Sequence, residues 1–200
     1  MKILAIQNRM GIGDTVIFLP FIKAISEKYN SPISLLVKEN SKANEFLYET
    51  NYIDKILILE RGKNYNKTSH NGFFGSINLI KDLKKSNFNK IFIFNSSLRY
   101  NLVAKLAGIS EIYQYPLFSK THQHIIDTPK KFLREKLNIN KIGDPEIHIK
   151  ADSISQSFKK FNIDKNKINI LLGIGGSGPT KRVPSRIFIN FISINVKFFY

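Results

Sequence analysis

Short apolar segments alternate with longer amphipathic segments along the chain, and this alternation limits the possible folds most strongly. Strands separated by helical segments of about 10–15 residues indicate βαβ units and a parallel sheet. The apolar segments are nearly continuous, as residues 91–94 (IFIF) show, and such strands are covered on both faces. The sequence therefore predicts an α/β fold with a parallel sheet.

The predicted elements follow one another without an internal repeat. The predicted strands are 3–6, 33–37, 55–59, 90–94, 112–115, 146–149 and 168–173. The predicted helices are one that starts at Thr15, followed by 41–49, 73–85, 98–107, 129–137, 153–161 and 185–194. A polar segment at 164–167 is typical of a linker. We therefore expect a first domain over residues 1–164 and the beginning of a second α/β domain over 165–200.

The first strand leads into a glycine-rich turn, MGIGD, which ends at Asp14. Gly11 and Gly13 allow a tight turn and a close backbone approach to a ligand. The turn lacks the third glycine of a dinucleotide-binding fingerprint. In open α/β sheets ligands bind beyond the carboxyl ends of the strands, where a carboxylate can take a proton from a substrate hydroxyl. The same position suits a helix N-cap, so both roles stay open for Asp14 at this point.

Two further segments are candidates for anion binding. Residues 173–182 (GIGGSGPTKR) fail the P-loop pattern, but their backbone amides with Lys181 and Arg182 suit a diphosphate leaving group. The alternative is a solvent-exposed turn with two ordinary basic residues. Residues 61–72 (RGKNYNKTSHNG) follow the third strand and form either a functional basic loop or a mobile surface loop.

Composition narrows the classes of partner. The net charge of +16 favours anionic partners such as nucleic acid, acidic lipid headgroups or nucleotide phosphates; a lysine-rich chain without a specific partner is the alternative.

The absence of cysteine excludes disulfides, thiolate zinc sites and a cysteine nucleophile. His122 and His124 with Asp127 are a weak metal pattern, and we expect no metal. No apolar run reaches the roughly 18 residues that span a bilayer.

Together these segments resemble glycosyltransferase family 9, the heptosyltransferases of lipopolysaccharide core synthesis. The opening KILAIQNRMGIGDTVIFLPFIKAI is similar to that family's first strand, loop and helix. Further similar segments are LLV (35–37), NYIDKI (51–56), RYNLVAKLAG (99–108), HIID (124–127) and GSGPTKRVPSRIF (176–188). Val183 stands where the family usually has Trp, and family members continue for about another domain's length.

The resemblance implies a GT-B architecture, in which two Rossmann-like domains face a cleft. It implies inverting transfer, without metal or cofactor, from a nucleotide sugar such as ADP-heptose to an anionic lipopolysaccharide-type acceptor. Asp14 would be the catalytic base, and Lys181 would stabilise the departing diphosphate. The implied donor-binding residues are Gly176, Ser177, Thr180, Lys181 and Arg182. The implied acceptor-binding residues are Gly11, Gly13, Arg61, Lys63 and Lys67.

The alternative function is that of a catalytically inactive, truncated remnant, which binds an anionic glycolipid or acceptor through its basic first domain. Under both interpretations we expect a cytoplasmic protein in peripheral contact with the inner face of the inner membrane, because anionic lipids attract a positive surface. We expect no nucleic-acid partner, since the basic residues follow no nucleic-acid module pattern.

Overall fold

The computed structural model describes residues 1–9, 11–61, 69–117, 124–173, 175 and 182–195. The chain divides into two compact units, Met1–Ile149 and Lys150–Tyr200. The domain boundary that the sequence indicates, after residue 164, stays a prediction. Within the described ranges, no helix is long and apolar enough to span a membrane.

The first unit alternates strands with helices, as the sequence predicts. Its strands are β1 (Ile3–Ile6), β2 (Ile33–Lys38), β3 (Ile53–Leu59), β4 (Lys90–Ile93) and β5 (Glu111–Gln114). Its helices are α1 (Ile12–Tyr29), α2 (Ala43–Phe46), α3 (Gly72–Ser86), α4 (Leu98–Leu106) and α5 (Asp127–Leu137).

The five strands form one sheet in the order β3-β2-β1-β4-β5, and every neighbouring pair is parallel. The predicted parallel α/β sheet is therefore confirmed. From β1, the next two strands, β2 and β3, extend the sheet in one direction. The following strand, β4, lies on the other side of β1. This reversal creates a topological switch point between β1 and β4, and ligands of open α/β sheets bind at such points, beyond the carboxyl ends of the strands.

The central strand β1 is buried on both faces. Ile3 and Ala5 belong to a core that includes side chains of α1 and α5, whereas Leu4 and Ile6 belong to a core with α3 and α4. Successive strand residues point to opposite faces, so four consecutive apolar residues serve both cores. Complete burial of a leucine or isoleucine side chain contributes about 1.5–3 kcal/mol, which stabilises β1 at the centre of the sheet.

Two predicted elements of the first unit are wrong. The helix predicted at 41–49 is a 3₁₀ turn, Glu39–Ser41, followed by the short α2, because Lys42 between them adopts a left-handed φ of 54°. Residues 146–149 form no strand. Side chains hold this segment instead: the Tyr52 hydroxyl donates to the Glu146 carbonyl oxygen at 2.5 Å, and Lys23 pairs with the Glu146 carboxylate.

The second unit contains α6 (Ala151–Lys160) and α7 (Ser185–Asn195) among its described residues, close to the helices predicted at 153–161 and 185–194. The strand predicted at 168–173 is wrong, and Ile168 and Leu171 are 75% and 97% exposed. A strand needs a neighbour to pair its backbone groups, and the described residues of this unit include no other strand.

Candidate functional site

The turn between β1 and α1 is the first component of the site. Gly11 has φ 106° and ψ 160°, a conformation that residues with a side chain rarely adopt. Helix α1 begins directly after it at Ile12, so the predicted start at Thr15 is three residues too late. Asp14 therefore lies inside the first turn of α1. The N-cap role for Asp14 is wrong, because Gly11 occupies that position.

The side chain of Gln7 stabilises this turn through hydrogen bonds. Its side chain is buried, its Nε2 donates to the Asp14 carbonyl oxygen at 3.4 Å, and its Oε1 accepts from the Arg9 backbone N–H at 3.1 Å. The Thr15 hydroxyl also donates to the Gly11 carbonyl oxygen at 3.1 Å. The hydrogen bond from Gln7 to Asp14 connects the end of β1 to the start of α1.

The Asp14 carboxylate lies beside open surface. Asp14 is half-buried, and its Oδ2 would lie 3.9 Å from a Cβ added at Gly11. A Cβ added at Gly13 would have no neighbouring atom within 4 Å. The amino end of a helix favours negative charge because the peptide dipoles align there. Asp14 is thus a partly exposed carboxylate whose oxygens can accept hydrogen bonds.

A cleft of about 790 Å³ lies at the switch point. Its walls come from the segments after β1, β4 and β5 and from α1 and α5, and include Asn8, Arg9, Phe18, Asn95, Ser96, Tyr115, Lys131, Phe132 and Lys136. Phe18 follows Asp14 by one helical turn, and residues four apart share a helix face. Asp14 therefore shares a helix face with Phe18, although Asp14 is not itself among the residues that line the cleft.

Two buried polar atoms of the cleft walls make no hydrogen bond within the described part of the chain. They are the Asn95 side-chain nitrogen and the Tyr115 hydroxyl. The Asn95 oxygen accepts from the Ser97 backbone N–H at 2.9 Å, which leaves the nitrogen as a donor. Burial raises the pKa of Tyr115, while the charge of Arg9 acts in the opposite direction. The Asn95 nitrogen and the Tyr115 hydroxyl are therefore donors without a partner in the described part of the chain.

Arg61 and Arg99 form a second, basic component. Arg61 is exposed and follows β3, while Arg99 is in the first turn of α4. Burial, and secondarily the charge of Arg61, lowers the pKa of Arg99. Arg99 donates from Nε to the Ser76 hydroxyl at 2.8 Å and from one terminal nitrogen to the His70 carbonyl oxygen at 2.5 Å. Its other terminal nitrogen is buried and has no hydrogen-bond partner among the described residues.

His70 closes the basic loop predicted at 61–72. Its backbone N–H donates to the Glu60 carbonyl oxygen at 2.8 Å, and its Nδ1 accepts from the Glu60 N–H at 3.1 Å. The proton of a neutral His70 is then on Nε2, which lies 3.2 Å from an Asp82 carboxylate oxygen. Both ends of the loop are therefore fixed. Lys63 and Lys67 lie outside the described residues.

The structure brings Gly11, Gly13 and Asp14 together in one turn. Arg61 lies at the same edge of the sheet, two strands away from β1. Arg182 is an exposed residue of the second unit. The other predicted donor-binding residues lie outside the described ranges: Gly176, Ser177, Thr180 and Lys181. All these assignments stay predictions. Sequence reasoning missed Asn95, Arg99 and Tyr115 as site residues.

The chain matches no protein-family model and, in sequence, no protein of curated function. Its structure matches the glycosyl transferase family 9 protein of Veillonella parvula DSM 2008 with a TM-score of 0.73, at 16% identity, over 100% of this chain and 60% of that chain. It also matches E. coli ADP-heptose lipopolysaccharide heptosyltransferase II with a TM-score of 0.69, at 14% identity, over 100% and 62%. This chain shares the fold of the corresponding part of these two proteins.

E. coli heptosyltransferase WaaC, solved with ADP-2-deoxy-2-fluoro heptose, matches with a TM-score of 0.61 at 12% identity, over 98% of this chain and 65% of WaaC. The chain thus spans between 60% and 65% of the length of these three transferases. The predicted GT-B-type fold and the resemblance to glycosyltransferase family 9 are confirmed at the level of the fold.

Proposed function

We propose that this chain is a glycosyltransferase that moves heptose from a nucleoside diphosphate sugar to an anionic, lipopolysaccharide-type acceptor. One observation carries the proposal: in a fold shared with heptosyltransferases, Asp14 lies in the first turn of α1, the helix that follows the central strand at the topological switch point. The basic pair Arg61 and Arg99 at the same sheet edge supports an anionic acceptor.

In the proposed reaction, Asp14 takes the proton from one acceptor hydroxyl. The acceptor oxygen forms a bond to the anomeric carbon as the bond from that carbon to the diphosphate oxygen breaks. The nucleoside diphosphate leaves with the electron pair of the broken bond. A single displacement of this kind inverts the anomeric configuration, and a general base contributes about 10²–10⁴-fold to such a step.

Cations would neutralise the departing diphosphate in this proposal. Lys181 and Arg182 are the candidates, together with the backbone of Gly176, Ser177 and Thr180, and they would replace a metal ion in that role. On the acceptor side, Arg61, Lys63 and Lys67 would bind anionic groups. Asn95 and Tyr115 would donate to sugar oxygens in the cleft. A lipid-linked acceptor would place the protein at the inner face of the membrane.

A second candidate function is acceptor binding without transfer. It is favoured by the second unit, whose described residues form two helices and no strand. The acceptor-side residues with supporting geometry all belong to the first unit, so the two candidates differ only in donor binding and chemistry.

The test is transfer of labelled heptose from ADP-heptose to heptose-free lipopolysaccharide, with and without EDTA. The proposal predicts labelled lipopolysaccharide in equal amounts under both conditions. Salt-sensitive acceptor binding without ADP-heptose binding would support the second candidate and contradict the first. Loss of transfer in EDTA would contradict the metal-independent step.

A further inference from the structure

The outward faces of α3 and α4 carry an exposed apolar surface. Phe73 and Phe74, in the first turn of α3, are 78% and 79% exposed, and their rings contact each other edge to face. Four more exposed apolar side chains lie on the two helices: Ile77, Leu98, Leu102 and Leu106. We call these six residues the α3–α4 patch.

The patch is not required by the core of the first unit. The inward faces of the two helices already fill that core, with Leu79 and Leu83 from α3 and Val103 and Ala104 from α4. The Arg99–Ser76 hydrogen bond places the first turns of α3 and α4 side by side. Contiguous exposed apolar surface of this kind marks an interaction site.

The polar residues around the patch are mainly basic. Lys81, Lys84 and Lys85 follow the aromatic turn along α3, and Lys105 lies between the leucines of α4; all four are exposed. Asp82 is the acidic residue of α3, and it contacts His70 and Lys85. Phenylalanine and leucine beside lysine are the composition of a surface that lies in the interface of an anionic bilayer.

A second copy of this chain is a poorer occupant. A symmetric dimer brings the same surface of both subunits together, so the four lysines of one copy would face those of the other. Phospholipid headgroups of negative charge complement these lysines, while the acyl boundary accepts the phenylalanine rings.

We propose that the α3–α4 patch binds the surface of an anionic lipid bilayer. This inference rests on the proposed function in one respect, the lipid-linked nature of the acceptor. Arg99 relates the two sites, because its side chain bonds to Ser76 in the first turn of α3 and, after burial, the charge of Arg61 also lowers its pKa. A bound patch therefore places the basic pair next to the lipid surface, where the anionic part of a lipid-linked acceptor lies.

The chain contains no tryptophan, so a single introduced indole reports on one position. The experiment follows the fluorescence of Phe74→Trp with vesicles of phosphatidylcholine alone or mixed with an equal amount of phosphatidylglycerol. We expect a blue shift with the anionic vesicles only. Tyr48→Trp is the matched control, since Tyr48 is 67% exposed and adjoins Leu47 of the other core; we expect no shift.

Charge and apolar contributions are separated by two further variants. Each lysine near an anionic surface strengthens binding about fivefold, so Lys81→Gln with Lys84→Gln should lower vesicle partitioning about 25-fold. The matched control, Lys159→Gln with Lys160→Gln in α6, should leave partitioning unchanged. Phe73→Ser with Phe74→Ser should abolish the vesicle binding that remains after the lysine substitutions, while the far-UV circular dichroism stays that of the parent.

Several results would overturn the inference. They are the absence of a blue shift with anionic vesicles, an equal shift with neutral vesicles, or a dimer in light scattering that Phe73→Ser dissociates. Vesicle binding uses neither donor nor acceptor sugar. Loss of vesicle binding with transfer retained therefore contradicts this inference alone, whereas vesicle binding without transfer contradicts the proposed function alone.

Discussion

Replacement of Gly75 by alanine is expected to destabilise the protein. The added Cβ would lie 2.2 Å from the backbone carbon of His70, and its two other nearest atoms, both at 2.8 Å, also belong to that backbone. No flexible side chain can move aside. Overpacking costs about 1–3 kcal/mol, and we take the upper end because a backbone must shift. Alanine's higher helix propensity returns about 1 kcal/mol, so the net loss is about 2 kcal/mol.

The assay is thermal unfolding followed by far-UV circular dichroism. For a chain of this length, about 2 kcal/mol corresponds to a fall of about 4–8 °C in the midpoint. Gly13→Ala is the matched control, since it makes the same change in a helix where the new Cβ has no neighbour within 4 Å. If Gly75→Ala unfolds at or above the parental midpoint, the His70 backbone does not pack closely against Gly75 of α3.

Three further predictions concern the site and its surroundings. Gly13→Ala should keep or raise the melting temperature but lower kcat/KM for transfer about tenfold or more, because its methyl group would occupy open space at the proposed acceptor-binding turn; unchanged kinetics would contradict acceptor binding at that turn. Arg99→Met should lower the free energy of unfolding in urea by about 2 kcal/mol, since hydrogen bonds from a charged donor to His70 and Ser76 are lost; parental stability would show that these bonds contribute nothing. The Lys23 ammonium, hydrogen-bonded to Glu146, holds the pKa of that carboxyl below its ordinary value of 4.5. The contribution of this ion pair to the stability of the folded protein is therefore present above pH 4.5. It is lost as the pH falls through the lower pKa that Glu146 has in the folded state. Glu146→Gln should flatten the dependence of the urea midpoint in that acidic range, and an unchanged slope would contradict the ion pair.

The sheet could be predicted from the sequence because its signals are local. Strands and helices differ in the spacing of their apolar residues, so the two kinds of element can be told apart. Polar, glycine-containing segments follow the carboxyl ends of β1 and β3. The same reasoning identified Asp14 and Arg61 as lying at the ligand edge. It placed the start of α1 too late, because Gly11 in a positive-φ conformation serves as the cap without any capping side chain.

The remaining site residues depend on strand order, which no local pattern encodes. Asn95 and Tyr115 follow β4 and β5, and they meet Arg9 in one cleft because the chain places β4 beside β1. Arg99 becomes a basic partner of Arg61 through the packing of α4 beside α3. The strand predicted at 168–173 failed for the opposite reason: its apolar pattern was present, but a pairing strand was not among the described residues.

The contribution of Asp14 to catalysis is the central claim, and Asp14→Asn tests it most directly. Asparagine keeps the size of the side chain but cannot accept the acceptor's proton. We predict that kcat for heptose transfer falls about 10²-fold or more, while KM for the acceptor and the melting temperature stay close to those of the parent. Asp144→Asn, at an exposed position of the first unit, is the control and should transfer normally. Transfer by Asp14→Asn at the parental rate would contradict the account.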